Sequence, residues 1–312
     1  MFVVTEADAA AIRAVYEQRG EFSAAVELRR RFPGIGDNEL LRRFGIPVVA
    51  HSPAVGQGLQ DHLAVNYYYR SRVPTLNNEL APFLGKVRAA LRYALGGRSG
   101  PLAMSVNQAG AFLRSRAGLT RPNMHIYFNP ASYSTTTLGT KRRLMNPDPY
   151  AGFLMSFNTC RPVSRGSIHI RSLDPLKPPA IQPNALAAPE DIRDVCEGAQ
   201  LVRRIAAAAP LAAVIEAERE PGVAVTSEAQ LLADFRQRSG SVFHACGTCM
   251  MGADPRTSVL DARLRVRGVS GLRVVDASAF PNVTSGNTNA PVMMLAEKGA
   301  DLILQDSRAP QA

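Results

Sequence analysis

The spacing of hydrophobic and polar positions changes character several times along the chain. Ala64-Val-Asn-Tyr-Tyr-Tyr-Arg70 alternates well enough to predict a strand. Asn123–Phe128 and Gly152–Asn158, short runs rich in apolar and aromatic residues, predict two more. Helical periodicity marks 6–19, then a shorter helix over 23–31, then Pro82–Leu95 within a stretch of helices and loops spanning 74–120. Pro189 to Ala209 reads as a long helix with acidic residues in its first turn and Pro210 as its stop. Ser227–Gly240 reads as another. Near the end, Asn289-Ala290-Pro291 precedes the apolar run Val292–Ala296, so a final helix is predicted over 290–305, with proline suited to its first turn. Between the strands at 123 and 152, the polar, Ser/Thr-rich segment 129–150 predicts a loop.

A chain of 312 residues with 46% hydrophobic content can bury one large core or two smaller ones. No apolar run approaches the ~18 residues that a membrane span requires. The opening Met-Phe-Val-Val-Thr-Glu-Ala-Asp lacks a basic region followed by an apolar core, so no signal peptide and a cytoplasmic location are expected. The net charge of +10 raises nucleic acid or an anionic membrane as partners, but the 4 Lys and 32 Arg read as scattered. That skew fits the codon bias of a GC-rich genome. With no Trp, and no aromatics interleaved among the basic residues, nucleic-acid binding is not expected. Four cysteines (160, 196, 246, 249) are too few for a disulfide framework in a chain this long. Cys246-Gly-Thr-Cys249 satisfies C-x-x-C. A zinc site would need two further ligands, and neither a second C-x-x-C nor a His pair is present. A dithiol pair would belong after a strand at a helix start. No metal is therefore expected.

Three blocks stand in order near the C-terminal end. His244 lies three positions before Gly247-Thr248-Cys249; Leu272-Arg-Val-Val-Asp-Ala-Ser278 follows; Pro281-Asn-Val-Thr-Ser-Gly-Asn287-Thr-Asn-Ala-Pro291 opens the last helix. Together they resemble the C-terminal end of the glucose–methanol–choline (GMC) family of flavin-dependent alcohol oxidoreductases, in its choline and primary-alcohol dehydrogenase branch. The likeness extends back through Arg161-Pro-Val-Ser-Arg-Gly166 and Pro179-Ala-Ile-Gln-Pro-Asn184 to Pro53-Ala-Val-Gly-Gln-Gly-Leu-Gln-Asp-His62, where Gly58 replaces the family's Asn. It starts at Gly34-Ile-Gly36 and covers about 34–306.

The resemblance implies an α+β fold: an antiparallel substrate-domain sheet with flanking helices, plus an incomplete α/β FAD-binding domain. It implies a non-matching helical segment over 1–33, an FAD-domain remnant over 34–61, a substrate-binding domain over 62–240 and a catalytic segment over 241–312. Within that frame 161–172 and 179–184 would be antiparallel strands of the substrate domain, and 272–275 a strand of the FAD domain. The implied reaction oxidises a small alcohol to a carbonyl, removing the hydroxyl proton and a hydride from the same carbon. A neutral imidazole suits the first removal, and the resemblance gives His244 that role. Asn287 would hold the substrate oxygen, since an attack-ready pose supplies much of the rate. Asp276, Ala277, Asn289, Ala290, Pro291 and Val292 would contact FAD, with the helix start facing the pyrimidine side of the ring. His62 would help to position substrate, or would only cap a strand.

The family grips FAD chiefly through a Gly-x-Gly-x-x-Gly turn after a strand. Here Gly34-Ile-Gly36 is followed by Glu39 and Gly56-Gln-Gly58 by Asp61 at the third position, so neither matches. The alternatives are then a truncated oxidoreductase, a non-catalytic remnant without bound flavin, or a C-x-x-C metal or dithiol protein. With ring contacts alone, and the pyrophosphate grip absent, the 312-residue chain is expected to purify without flavin and to bind added FAD weakly. It should oxidise no alcohol, and the apolar faces of 272–275 and 290–305 should bind a hydrophobic dye. Soluble, monomeric, yellow protein that reduces a dye with an alcohol would overturn this, and stoichiometric metal in the purified chain would favour the third reading.

Overall fold

The computed structural model describes residues 35–133, 147–174 and 176–308. The helices expected over 6–19 and 23–31, and most of the loop expected over 129–150, lie outside these residues. In chain order the described elements begin with β1 (Ile35–Gly36), α1 (Asn38–Arg43), β2 (Ala50–His51), β3 (Gln57–Leu59), β4 (Leu63–Ser71), α2 (Leu76–Leu80) and α3 (Phe83–Leu95). Next come β5 (Ala109–Leu113), β6 (Met124–Asn129), β7 (Gly152–Thr159), β8 (Gly166–His169), β9 (Ala180–Gln182) and α4 (Pro189–Ala206). The series ends with α5 (Ala209–Ala212), β10 (Ile215–Glu220), α6 (Glu228–Arg238), β11 (Gly240–Ser241) and α7 (Asn289–Arg308). The chain adopts the α+β class expected from the sequence. Among the described residues no helix is long and apolar enough to cross a membrane.

The chain forms two compact units. Among the described residues, the first combines 35–61 with those of 162–188 and 243–308; the second comprises those of 62–161 and 189–242. The second unit is built on an antiparallel sheet of order β10-β4-β7-β6-β5, with β11 also pairing β4. All eight residues of β7 are buried, as suits a central strand covered on both faces. Tyr67, Tyr69, Phe153 and Phe157 fill one face, and Phe235 of α6 brings its ring to 5.9 Å from that of Phe157. Helix α6 starts on a reciprocal capping box between Ser227 and Gln230. Helix α4 rests on β7 through Gly198, where an added Cβ would fall 2.5 Å from the Phe157 ring and 2.9 Å from the Met124 sulfur.

Several sequence expectations are corrected. Strand β5, inside the stretch read as helices and loops, pairs with β6 over Ala109–Leu113; its small residues gave too little hydrophobic signal, and the pairing supplies the stability. Pro210 sits in the first turn of α5 instead of ending a longer helix, because a proline lacking its N–H costs nothing at a helix start. Strand β8 pairs with β3 on one side and β9 on the other, outside the larger sheet. Their segment, 162–188, therefore falls in the first unit and not with the surrounding 62–240.

The first unit's core joins Val259, Leu260, Leu264, Val266, Phe280 and Val283 with Leu295 and Leu302 of α7. Residues 272–275 form no strand: Arg273 makes one bridge to Arg265, and the Val274 N–H donates to the Leu264 carbonyl. Held on one side only by the preceding turn, the segment has no neighbouring ladder to extend. Its apolar side is nonetheless covered, since Val275 packs on Gly299 so closely that a Cβ there would lie 2.5 Å from Val275 Cγ1. The last helix thus has one buried face, while Met293, Met294, Ile303 and Leu304 stay exposed.

Replacing Gly198 with Val would drive a branched side chain into Phe157. Overpacking of this kind costs about 1–3 kcal/mol, which denaturant unfolding would read as a lower midpoint; an unchanged midpoint would show that α4 can lift away from the sheet.

Candidate active site

Two consecutive side chains of the first unit anchor the segment that carries His244. The Gln60 backbone exchanges hydrogen bonds with Cys246 in both directions, at 3.0 and 2.9 Å. Its buried side-chain amide donates from Nε2 to the Pro162 carbonyl at 2.6 Å and accepts at Oε1 from the Val283 N–H at 2.9 Å. One residue thereby fixes three segments remote in sequence. Next to it, the Asp61 carboxylate accepts from the His244 backbone N–H at 2.9 Å. The residue before His244, Phe243, lies at φ +64°, in the left-handed region that few non-glycine residues occupy. Such strain persists only where its surroundings impose it, and here it turns the chain to set His244 in place.

Three glycines make this packing possible. Gly56 and Gly58 both have positive φ; a Cβ on Gly56 would fall 2.0 Å from the Ile168 carbonyl oxygen, and one on Gly58 2.5 Å from Met250 Cε. Gly247, also at positive φ, meets the Gly58 carbonyl oxygen at 2.5 Å by the same measure. The Gly56-Gln-Gly58 turn is therefore filled by the protein's own backbone and side chains and leaves no phosphate cradle. At Gly58 the left-handed backbone suits glycine, which adopts it without steric cost.

Beyond Gly247 the chain runs beside 277–279: the Gly247, Cys249 and Met251 N–H groups donate to the carbonyls of Ala277, Ser278 and Ala279 at 3.4, 2.9 and 2.9 Å. Exposed Asp276 caps this turn, its carboxylate accepting from the Ser278 N–H at 2.7 Å, and Ala277 is half-buried beside it. Arg165 donates to the carbonyls of Gly58 and Pro281 and to the Asn282 side chain, holding the loop that leads to Asn287. Asn287 is exposed just before Thr288, whose carbonyl accepts the Val292 N–H at 2.9 Å as α7 begins. Asn289 and Ala290 are exposed in that first turn, with Pro291 and Val292 half-buried.

The imidazole of His244 is 8% exposed. Burial pulls its pKa below the ordinary value, and the opposing pull of the Asp61 carboxylate is smaller. Burial pushes the thiols of Cys246 and Cys249 up to about 11, so both are protonated at neutral pH and poor nucleophiles. Cys246 lies in the bridge to Gln60 and Cys249 beside Ser278, neither at a helix start. Among the described residues no His, Cys, Asp and Glu cluster could hold a metal ion.

His62 belongs to the second unit and is fully buried. Its Nε2 donates to the Cys160 carbonyl at 3.0 Å, tying the start of β4 to the segment after β7. Gln60, Asp61 and Arg165 were not singled out by sequence, although each stands inside a block that was. Their signal was the block's continuity, which does not reveal which side chain reaches a distant partner.

Residues 162–296 match the GMC oxidoreductase family model, in its C-terminal part. Over 274 residues the chain is 36% identical to an alcohol dehydrogenase [acceptor] of Pseudomonas putida, covering 87% of this chain and 48% of that protein. It is 38% identical over 285 residues to the mitochondrial choline dehydrogenase of Mus musculus, covering 89% and 46%. Among solved structures it resembles pyridoxine 4-oxidase from Mesorbium loti, with a TM-score of 0.69, 26% identity and coverage of 87% and 48%. Residues 162–296 belong to the GMC oxidoreductase family, and the chain spans about half the length of the curated relatives it matches.

Gln60→Leu keeps the volume but strands the Val283 N–H and the Pro162 carbonyl. Each buried orphan costs about 1–3 kcal/mol, so the unfolding midpoint should fall well below that of the parent. A variant of equal stability would remove Gln60 from its organising role.

Proposed function

We propose that this chain carries the proton-handling and substrate-orienting residues of an FAD-dependent alcohol oxidoreductase. The substrate is a small primary alcohol, choline-like or simpler. The observation that carries the reading is His244: buried, fixed by Asp61 through its backbone, and shifted toward the neutral form. A neutral imidazole nitrogen accepts the hydroxyl proton as the O–H bond breaks and the C=O bond forms. Asn287, exposed ahead of α7, supplies a side-chain amide able to hold that oxygen. FAD, when bound, supplies the acceptor for the hydride leaving the same carbon. The exposed start of α7 at Asn289 and Ala290, with Asp276 and Ala277, fits the ring end of such a group. The filled Gly56-Gln-Gly58 turn does not fit its pyrophosphate. The non-catalytic alternative keeps the same packing and performs none of these steps.

The two readings separate when the chain is combined with an FAD-binding half from a relative. Restored alcohol oxidation, with His244→Ala lowering turnover by roughly two to four orders of magnitude at unchanged flavin content, is the expected result. The base must be neutral to accept the proton, and burial lowers its pKa. Turnover should therefore be flat near neutrality and fall only on the acid side of the ordinary histidine value of about 6.5. A His244→Ala enzyme with near-normal turnover would remove His244 from the mechanism, and no turnover in a flavin-loaded parent complex would favour the non-catalytic reading.

A further inference from the structure

A cavity of about 760 Å³ opens in the first unit, and none of the residues assigned above to substrate or flavin lines it. It forms where residues 264–274 fold back on themselves. The Val266 N–H donates to the Leu272 carbonyl at 2.9 Å and the Val274 N–H to the Leu264 carbonyl at 3.2 Å, with Arg265 and Arg273 opposite each other. Side chains alternate along such a limb. Leu264 and Val266 are buried in the core, so Arg265 and Arg267 share the other side, with Arg273 across from Arg265. Val269, Leu272 and Ile303 of α7 add apolar lining, and Ser270 adds a hydroxyl.

The charges at this cavity do not cancel. Arg263 and Arg273 both pair with Asp306, and Arg265 donates from Nε to Asp261 at 2.8 Å. Four guanidinium groups against two carboxylates leave +2. The nearby Asp254 is already paired with Arg256 at 2.9 Å. Two cations retain unused donors. Both Nη groups of Arg265 lack an acceptor among the described residues, since only its Nε is engaged. Arg267 donates from Nη2 to the Gly252 carbonyl at 2.6 Å, while its Nε is buried without a partner. A buried charged donor left unpaired costs free energy that a bound anion would recover.

We propose that this cavity binds a phosphate monoester carrying a compact, partly apolar body. Guanidinium groups recognise phosphate oxygens through paired N–H donors, and Arg265 and Arg267 present such donors from one side of the fold-back. The charge of a monoester near neutral pH, roughly −1.5 to −2, matches the local excess. The volume is far more than a bare phosphate fills and lies within the range of about 300–1,000 Å³ usual for small-molecule sites. The rest of the ligand therefore lies against Val269, Leu272 and Ile303. A phosphodiester, with one charge per phosphate, leaves part of the cluster unmatched. This site stands whether or not the chain oxidises alcohols.

Isothermal titration calorimetry of the full chain with AMP as the probe tests it. AMP should bind saturably at one site per chain. Adenosine, inorganic phosphate and cyclic AMP should each bind at least about tenfold more weakly, since the first two meet only half of the site and the third carries a single charge. Arg267→Gln and, separately, Arg265→Gln should weaken AMP binding roughly ten- to hundredfold. Arg267→Lys, which keeps the charge and loses the fork, should fall between parent and Arg267→Gln. Arg265 is an exposed position, so its variant should keep the parent's thermal melt and decides the matter if Arg267→Gln folds poorly. Three results would overturn the proposal. One is no saturable heat with AMP, or equal affinity for AMP and adenosine. Another is a folded Arg265→Gln chain that binds AMP as the parent does. The third is AMP binding that disappears when the chain is combined with an FAD-binding half from a relative, which would assign the cavity to the packing surface for that half.

Discussion

The first unit depends on the buried amide of Gln60. A primary amide taken out of water must use both ends, and this one donates to Pro162 and accepts from Val283 while its backbone bridges Cys246. Three stretches separated from it by tens to hundreds of positions are thereby held to one residue. The arrangement is possible because Gly56, Gly58 and Gly247 have no side chains to keep the strands apart. Asp61, carried on the same extended segment, extends the anchorage to His244. His244 is thus positioned through its backbone.

That arrangement also decides the electrostatics. A carboxylate near an imidazole ordinarily raises its pKa, yet for His244 burial outweighs Asp61 and the shift is downward. The same desolvation keeps Cys246 and Cys249 protonated, so the C-x-x-C spacing serves packing: Cys246 sits in the bridge to Gln60 and Cys249 against the turn capped by Asp276. Burial favours the uncharged form of the imidazole and of both thiols.

The second unit solves a different problem. Its central strand is buried on both faces, and helix α4 approaches it through Gly198, set against the Phe157 ring. Helix α3 uses the same device, Gly85 and Ala89, but sends its large apolar residues outward.

Much of this was legible in the sequence because it is local. The period-2 run at 64–70, the apolar runs at 123–128 and 152–158, the capping residues of α6 and the proline at the start of α7 each declare themselves within a few positions. The blocks around His244 and Asn287 carried the resemblance to the GMC family that the comparisons show. What the sequence could not reveal depends on partners far along the chain. Strand β5 is a strand only because β6 lies beside it, and β8 and β9 join β3 because Gly56 admits the Ile168 carbonyl. Residues 272–275 look like a strand but make a single bridge, since a strand requires a neighbour as well as a pattern. The roles of Gln60 and Asp61 follow the same logic: a glutamine and an aspartate in a conserved-looking turn are ordinary until folding brings Pro162, Val283 and His244 to their side chains. Residue type and local period determined what this chain could form, and long-range burial determined which hydrogen bonds it had to satisfy.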